Sequence, residues 1–329
     1  MEARIRSVLA CCRCSGAAVA AVLGLLVASA EGTESFATWL SQLRADARAQ
    51  GVSSATLDRA LNGLTYEPRV VQLQQRQPEV RQSFAKYIST RVTQARLDRA
   101  RRELALNRSL LEEVASRYHV QPRFIVALWA VESDFGRHTG SWSTIQSLAS
   151  LAYGGRRRDY FRRELIAALL LLERMPERIG ITGSWAGAVG QCQFMPSNVR
   201  RLGADFDGDG RVDVWDSLPD IFASIANFLA KSGWHDDQTW GREVRAPTAF
   251  DWRLSGHDVR LHLPVWARLG LRRADGGPLP TRPLWTSLVA PDGPHGRIFL
   301  VYENFRVLRK WNRSDHFALS VGLLTEGMR

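Results

Sequence analysis

The stretch Phe124–Gly136, FIVALWAVESDFG, decides how this 329-residue chain is read. Pro122 just upstream suits a first helical turn, where its missing N–H costs nothing. Phe124, Ile125, Leu128 and Trp129 repeat at helical spacing, which predicts one buried helix. Glu132 sits near its end. Leu128 and Trp129 precede it by one turn and Phe135 follows by one, so all three fall on its own side of the helix. A carboxyl among such neighbours loses hydration, and its pKa rises. A carboxylic acid still protonated near neutral pH can give a proton to a leaving group. A second reading stands beside this one: a helix-end glutamate in a cap or a salt bridge.

Upstream, Phe36 to Leu64 reads as two helices broken at Gly51, with Ser53 or Ser54 able to cap the second. Pro68 and Pro78 frame a polar connection. Val80 to Leu106 has a helical pattern with arginines on its solvated face, and Leu110 to Tyr118 forms a short helix before the glutamate helix. The first 30 residues read as a secretory signal. Arg4, Arg6 and Arg13 lead, Ala17 to Val27 is apolar, and Ala28-Ser29-Ala30 is an A-x-A cleavage site. The alternative is a lipoprotein box, Val8 to Cys11, with membrane attachment through Cys11. Cys11, Cys12 and Cys14 lie in the signal, which leaves Cys192 alone in the mature chain and excludes an internal disulfide there.

Downstream, Gly136 to Trp142 is a loop, Thr144 to Ala152 a helix, and Arg156-Arg157-Arg158 opens a basic run that reads as a solvated helix face or the rim of a cleft. Gly183 to Ser197, GSWAGAVGQCQFMPS, differs in kind. Its glycines allow close backbone approach, and Ser184, Gln191 and Gln193 can supply hydrogen bonds to a polar ligand; a tight connection whose glycines serve packing only is the other reading. Asp205 to Asp216, DFDGDGRVDVWD, is the most specific motif. Asp205, Asp207, Asp209, Asp213 and Asp216 stand at positions 1, 3, 5, 9 and 12 of a calcium loop, with Gly210 at the sharp turn and Arg211 offering its backbone carbonyl. Carboxylates at this spacing repel one another unless a cation sits between them. From Pro247 the texture changes to prolines, glycines and short β-like runs, of which Arg297 to Tyr302 is the clearest strand.

Hydrophobic residues make up 45% of the chain, which excludes wholesale disorder. A formal net charge of +11 favours an anionic partner, and no nucleic-acid-binding motif accompanies it.

In order and spacing, these motifs resemble those of the bacterial lytic murein transglycosylases of the B type. VESDFG (Val131–Gly136) is similar to that family's E-S-x-x-G motif. GSWAGAVGQCQFMPS is similar to its glycine-rich motif, DFDGDGRVDVWD to its calcium loop, and NFRVLRKWNRS (Asn304–Ser314) to its closing motif. QRQPE (Gln75–Glu79) and GRRRDYFRREL (Gly155–Leu165) also look familial. The resemblance implies an α+β fold, mainly α, with a lysozyme-like core, flanking helices and a small β-rich subdomain. It implies Glu132 as a single catalytic acid/base, with Ser184, Gln193 and Asn304 binding the substrate and a Ca2+ ion in the acidic loop. Trp311 and Phe317 stand where the family often has tyrosines, and the lost phenols are expected to remove hydrogen bonds but keep stacking.

The expected organisation is a signal at 1–30, a helical region at 31–109, a catalytic core at 110–246, a β-rich subdomain at 247–302 and a closing segment at 303–329. The expected activity is cleavage of peptidoglycan glycan strands by an exported, periplasmic enzyme with no organic cofactor. Other cell-wall enzymes are its conceivable partners, and nucleic acid is not. A hydrolytic muramidase and a wall-binding scaffold without activity are the alternatives.

Overall fold

The computed structural model describes residues 34–76, 82–178 and 180–328. The expected signal, its cysteines and most of QRQPE lie outside them. Six helices lead to the glutamate helix: α1 (Phe36–Ala49), α2 (Ser54–Leu61), α3 (Pro68–Arg76), α4 (Phe84–Arg91), α5 (Gln94–Leu106) and α6 (Arg108–Tyr118). Ser53 caps α2 as expected, its hydroxyl accepting from the Thr56 N–H. Two expectations change here. Pro68 does not frame a connection but opens α3, because Val70 and Val71 have a core to enter. The run expected from Val80 to Leu106 is two helices, parted where Thr93 Oγ1 accepts the Arg96 N–H at 3.2 Å and starts α5 afresh.

The glutamate helix α7 (Pro122–Ser133) is buried on nearly every side, as an all-apolar helix must be. It stops sooner than expected. Asp134 (φ 51°), Phe135 (φ 61°) and Gly136 (φ 80°) turn left-handed in succession, and Ser133 Oγ accepts the Gly136 N–H at 3.0 Å. Phe135 therefore reaches the Trp129 ring, edge-on with centroids 5.3 Å apart, through a reversed backbone rather than helical periodicity.

A two-stranded ribbon, β1 (Trp142–Ser143) with β2 (Thr182–Gly183), brackets α8 (Thr144–Gly154) and the long α9 (Arg158–Arg174). α10 (Pro196–Leu202) and α11 (Leu218–Lys231) follow the glycine-rich and acidic loops. Then come β3 (Gly241–Arg245), β4 (Leu261–His262), α12 (Leu263–Arg268), β5 (Arg272–Arg273), β6 (Trp285–Val289) and β7 (Ile298–Val301). These five strands form an antiparallel sheet in the order β4-β6-β7-β3-β5. The β-rich portion thus starts at Gly241, ahead of the expected 247, and includes one short helix.

Both faces of this sheet are buried, and side-chain alternation divides them. Leu288, Ile298 and Leu300 join Trp266 and Leu263 of α12, whereas Val289, Phe299 and Val301 join the large helical core. The chain closes with α13 (Glu303–Trp311) and α14 (Asp315–Gly327), the latter packed along α7 and α4. The fold is α+β and mainly helical. No helix among the described residues is long and apolar enough to cross a membrane.

Candidate active site

Glu132 projects from the last turn of α7 and is partly open to solvent. Burial pushes its carboxyl up to about 7; the Trp311 hydrogen bond and the Arg91 charge pull the other way without overcoming it. The expectation of a protonatable acid thus holds. The indole of Trp311 donates from Nε1 to Glu132 Oε1 at 2.5 Å across 179 residues of sequence. The expected loss of a hydrogen bond at this position is therefore corrected, because an indole N–H replaces the phenol. Trp311 is itself held by rings, with Phe228 at 4.7 Å and Phe194 at 5.0 Å between centroids.

Tyr87 and Arg91 come from α4, and the sequence reading missed them. The Arg91 guanidinium lies 5.7 Å over the Tyr87 ring; the Glu132 charge acts on Tyr87, and the Arg91 charge acts on Glu132. Burial raises the Tyr87 phenol first, with Glu132 adding to the rise. The only sequence signal was the one-turn spacing of an aromatic and a cation. α4 is fixed from far away: Asp292, in the β6–β7 turn, accepts the Phe84 N–H at 2.6 Å and the Ala85 N–H at 2.9 Å.

The second carboxyl of the motif faces other groups. Asp134 engages Arg96 at 3.3 Å, Arg137, and His138 at 3.6 Å. Burial would raise it, but the arginines win and hold it below the usual carboxylate range. Glu164 is buried as a cap on α10, accepting the Ser197 N–H at 2.9 Å and its hydroxyl at 2.7 Å. Both carboxyls are thus taken up by partners other than Glu132.

The glycine-rich segment folds back on itself. Ser184 Oγ accepts the Ala188 N–H at 3.0 Å and remains partly exposed. Gln193 takes a left-handed backbone (φ 49°), and its amide donates to the Thr139 and Gly190 carbonyls, both at 2.9 Å. The next residue is Phe194, on the Trp311 ring, so this segment and α13 meet over Glu132. Gln191 is a strut: it accepts from Trp129 Nε1 and donates to the Trp215 carbonyl, both at 2.7 Å. A Cβ at Gly136 would lie 2.4 Å from its side chain, which is why the turn after α7 requires glycine there. Cys192 is sealed in the core and burial pushes its thiol up.

Asn304 departs from expectation. It is fully buried, and its amide is consumed by the 235–238 loop. Oδ1 accepts the His235 N–H at 2.8 Å, and Nδ2 donates to the carbonyls of His235 at 2.7 Å and Gln238 at 3.0 Å. It anchors α13 rather than lining the cleft, and Trp311, two turns on, is what α13 brings to the site.

In the acidic loop, Asp205, Asp207 and Asp209 each offer a carboxylate oxygen within 4.8 Å of the others. Gly208 and Gly210 provide the left-handed turns, and both backbone N–H groups donate to Asp205. Asp213 and Asp216 do not join this group. Asp213 accepts the Trp215 and Asp216 N–H groups, and Arg178 pairs with Asp216 at 2.9 Å. Asp220, buried behind the loop, accepts from the Phe206 and Asp213 backbones at 2.7 Å each.

A family model described as Transglycosylase SLT domain matches residues 35–326. Membrane-bound lytic murein transglycosylase B of Escherichia coli (strain K12) is 31% identical over 219 residues, which are 64% of this chain and 58% of that protein. The match thus spans less than two thirds of that relative's length. The crystal structure of SltB3 from Pseudomonas aeruginosa, in complex with NAG-anhNAM-pentapeptide, superposes with a TM-score of 0.86 at 40% identity, covering 90% of this chain and 80% of that one. The Escherichia coli lytic transglycosylase Slt35 in complex with calcium shares the fold at a TM-score of 0.76 and 24% identity, covering 88% and 92%.

Proposed function

Because this chain belongs to the transglycosylase SLT domain family, we propose that it is a lytic transglycosylase of peptidoglycan. It cleaves the β-1,4 bond between N-acetylmuramic acid and N-acetylglucosamine and leaves a 1,6-anhydromuramic end. The observation that carries the reading is one carboxyl, Glu132, raised to about 7 by burial while its neighbour Asp134 is held ionised by arginines. Glycosidases ordinarily pair two carboxyl groups. Here one suffices, because the nucleophile belongs to the sugar. Glu132 protonates the bridging oxygen. As the carboxylate it then takes the proton of the muramic acid's own C6 hydroxyl, whose oxygen closes on C1, and no water is consumed. Ser184 and Gln193 are the proposed contacts to the sugar and its N-acetyl group. SltB3, crystallised with NAG-anhNAM-pentapeptide, binds a product of this type.

The acidic loop is the proposed calcium site, and the donor chemistry fits: three hard carboxylates lie within 4.8 Å, and the Arg211 carbonyl follows on the same turn. Asp213 and Asp216 would join only by releasing Arg178. Bound there, the ion would neutralise the loop and tie it to α11, since Ser217, the cap of α11, donates to Asp207.

We place the enzyme in the periplasm, exported by the segment before Glu31, with peptidoglycan as its partner. Mass spectrometry of digested sacculi tests the activity. Anhydromuramic ends are expected; reducing muramic ends would make the enzyme a hydrolase, and sacculus binding without soluble products would make it a scaffold.

A further inference from the structure

Trp311 stands where it controls one oxygen of the acid. Its Nε1–H donates to Glu132 Oε1 at 2.5 Å, while Oε2 has no hydrogen-bond partner among the described residues and is not among their sealed polar atoms. We infer that Trp311 is a positioning residue that confines the acid proton of Glu132 to Oε2, so that both proton transfers of the reaction run through that single oxygen.

The argument is one of donor inventory. An indole N–H can donate and cannot accept. A proton on Oε1 would point one donor at another and leave the indole with a poor acceptor. A hydroxyl in place of Trp311 could reverse its role and accept, which would leave the proton free to sit on either oxygen. The indole has no such option. It cannot rotate aside either, because Phe228 and Phe194 pack on its ring at 4.7 and 5.0 Å. Phe228 belongs to α11 and Phe194 to the glycine-rich segment, so two further elements hold the donor in place.

The inference rests on the proposed activity, and its balance follows. The proton on Oε2 passes to the bridging oxygen as the C1–O4 bond breaks. The C6 oxygen then bonds to C1 and its proton returns to Oε2. Oε1 keeps the indole N–H throughout, and that hydrogen bond strengthens while the carboxylate bears charge. The leaving oxygen and the attacking hydroxyl must therefore visit the same atom in turn.

Two measurements test this. In the wild-type protein the Trp311 Nε1–H resonance, assigned by its absence in Trp311→Phe, should move with the midpoint of the Glu132 carboxyl titration. That titration is read by infrared difference against Glu132→Gln. Trp311→Phe keeps a ring on Phe228 but removes the donor. It should raise the carboxyl midpoint by about one unit or more and carry the alkaline limb of kcat upward with it. On sacculi kcat should fall about ten-fold or more, with KM within about two-fold. Trp311→Tyr, which restores a donor, should bring the midpoint back toward the wild-type value. An indole resonance indifferent to the carboxyl titration, or a Trp311→Phe limb that stays in place while kcat and KM change together, overturns the inference. A protein that lyses nothing while its indole still reports the titration faults the activity and upholds the placement of the proton.

Discussion

At the scale of the residue, Glu132 and its surroundings make two measurable claims. Glu132→Gln keeps the size and can still accept from Trp311, but it cannot deliver or take a proton. Lytic turnover should fall by about a hundred- to ten-thousand-fold, with sacculus binding retained; wild-type turnover in this variant would remove Glu132 from its role. The same substitution changes the pH dependence of stability. The carboxyl has its ordinary value of 4.5 when unfolded and about 7 when folded, so the folded state binds more protons between those limits. Its stabilising contribution is full below 4.5 and is lost as pH rises through 7. Glu132→Gln should match the wild type in melting near pH 4 and exceed it near pH 8, by roughly 2 kcal/mol once partial exposure is allowed for. Parallel pH–stability curves would refute this. Glu132 was legible because its cause is local: an apolar helix turn before it desolvates the carboxyl. Trp311 was not, because the hydrogen bond it makes spans 179 residues and depends on where α13 lands. Asn304 was misassigned for the same reason, since nothing in its neighbours in sequence reveals that the 235–238 loop claims its amide.

At the scale of the element, α4 and the acidic loop are held by groups outside themselves. α4 is only 8 residues long, too short to be stable alone. It has Ser83 on Lys86 as its own cap and Asp292 on two further N–H groups. Asp292→Ala should cost about 1–2 kcal/mol and speed amide exchange within α4. It should also lower kcat, because α4 carries Tyr87 and Arg91; unchanged exchange in α4 would show that the cap is idle. For the acidic loop, melting should rise with added calcium and fall with a chelator, since a ligand of the folded state alone stabilises it. Asp207→Ala should abolish the shift, and a melting curve indifferent to both additions would exclude the site. Helix positions were readable where a cap or a periodic apolar face lay in the sequence, as at Ser53 and along α7. The stop of α7 was not, because three left-handed residues, two of them non-glycine, are imposed by Ser133 and by the Gln191 strut rather than by propensity.

At the scale of the whole molecule, the lysozyme-like helical core and the small sheet share one hydrophobic interior through Val289, Phe299 and Val301. The sheet was legible from RIFLVY, whose alternate residues serve its two faces, but its opening strand at Gly241 was hidden in a charged run, GREVR. The positive net charge also acts at this scale, most of it carried by residues outside the expected signal. Affinity for sacculi, which carry lactyl and peptide carboxylates, should weaken several-fold between about 50 and 300 mM salt, and a salt-independent affinity would show that the charge has no part in wall binding. The reach of the Trp311–Glu132 contact has one more consequence, in time rather than space. A ribosome makes Glu132 long before Trp311, and α13 and α14 emerge only after the strands of the sheet. Until they dock along α7 the acid has no donor on Oε1 and no aromatic wall around it. On the proposed activity, a growing chain should therefore spare the glycan strands until α13 has been made and has docked, so that the acid is armed by a late-made helix.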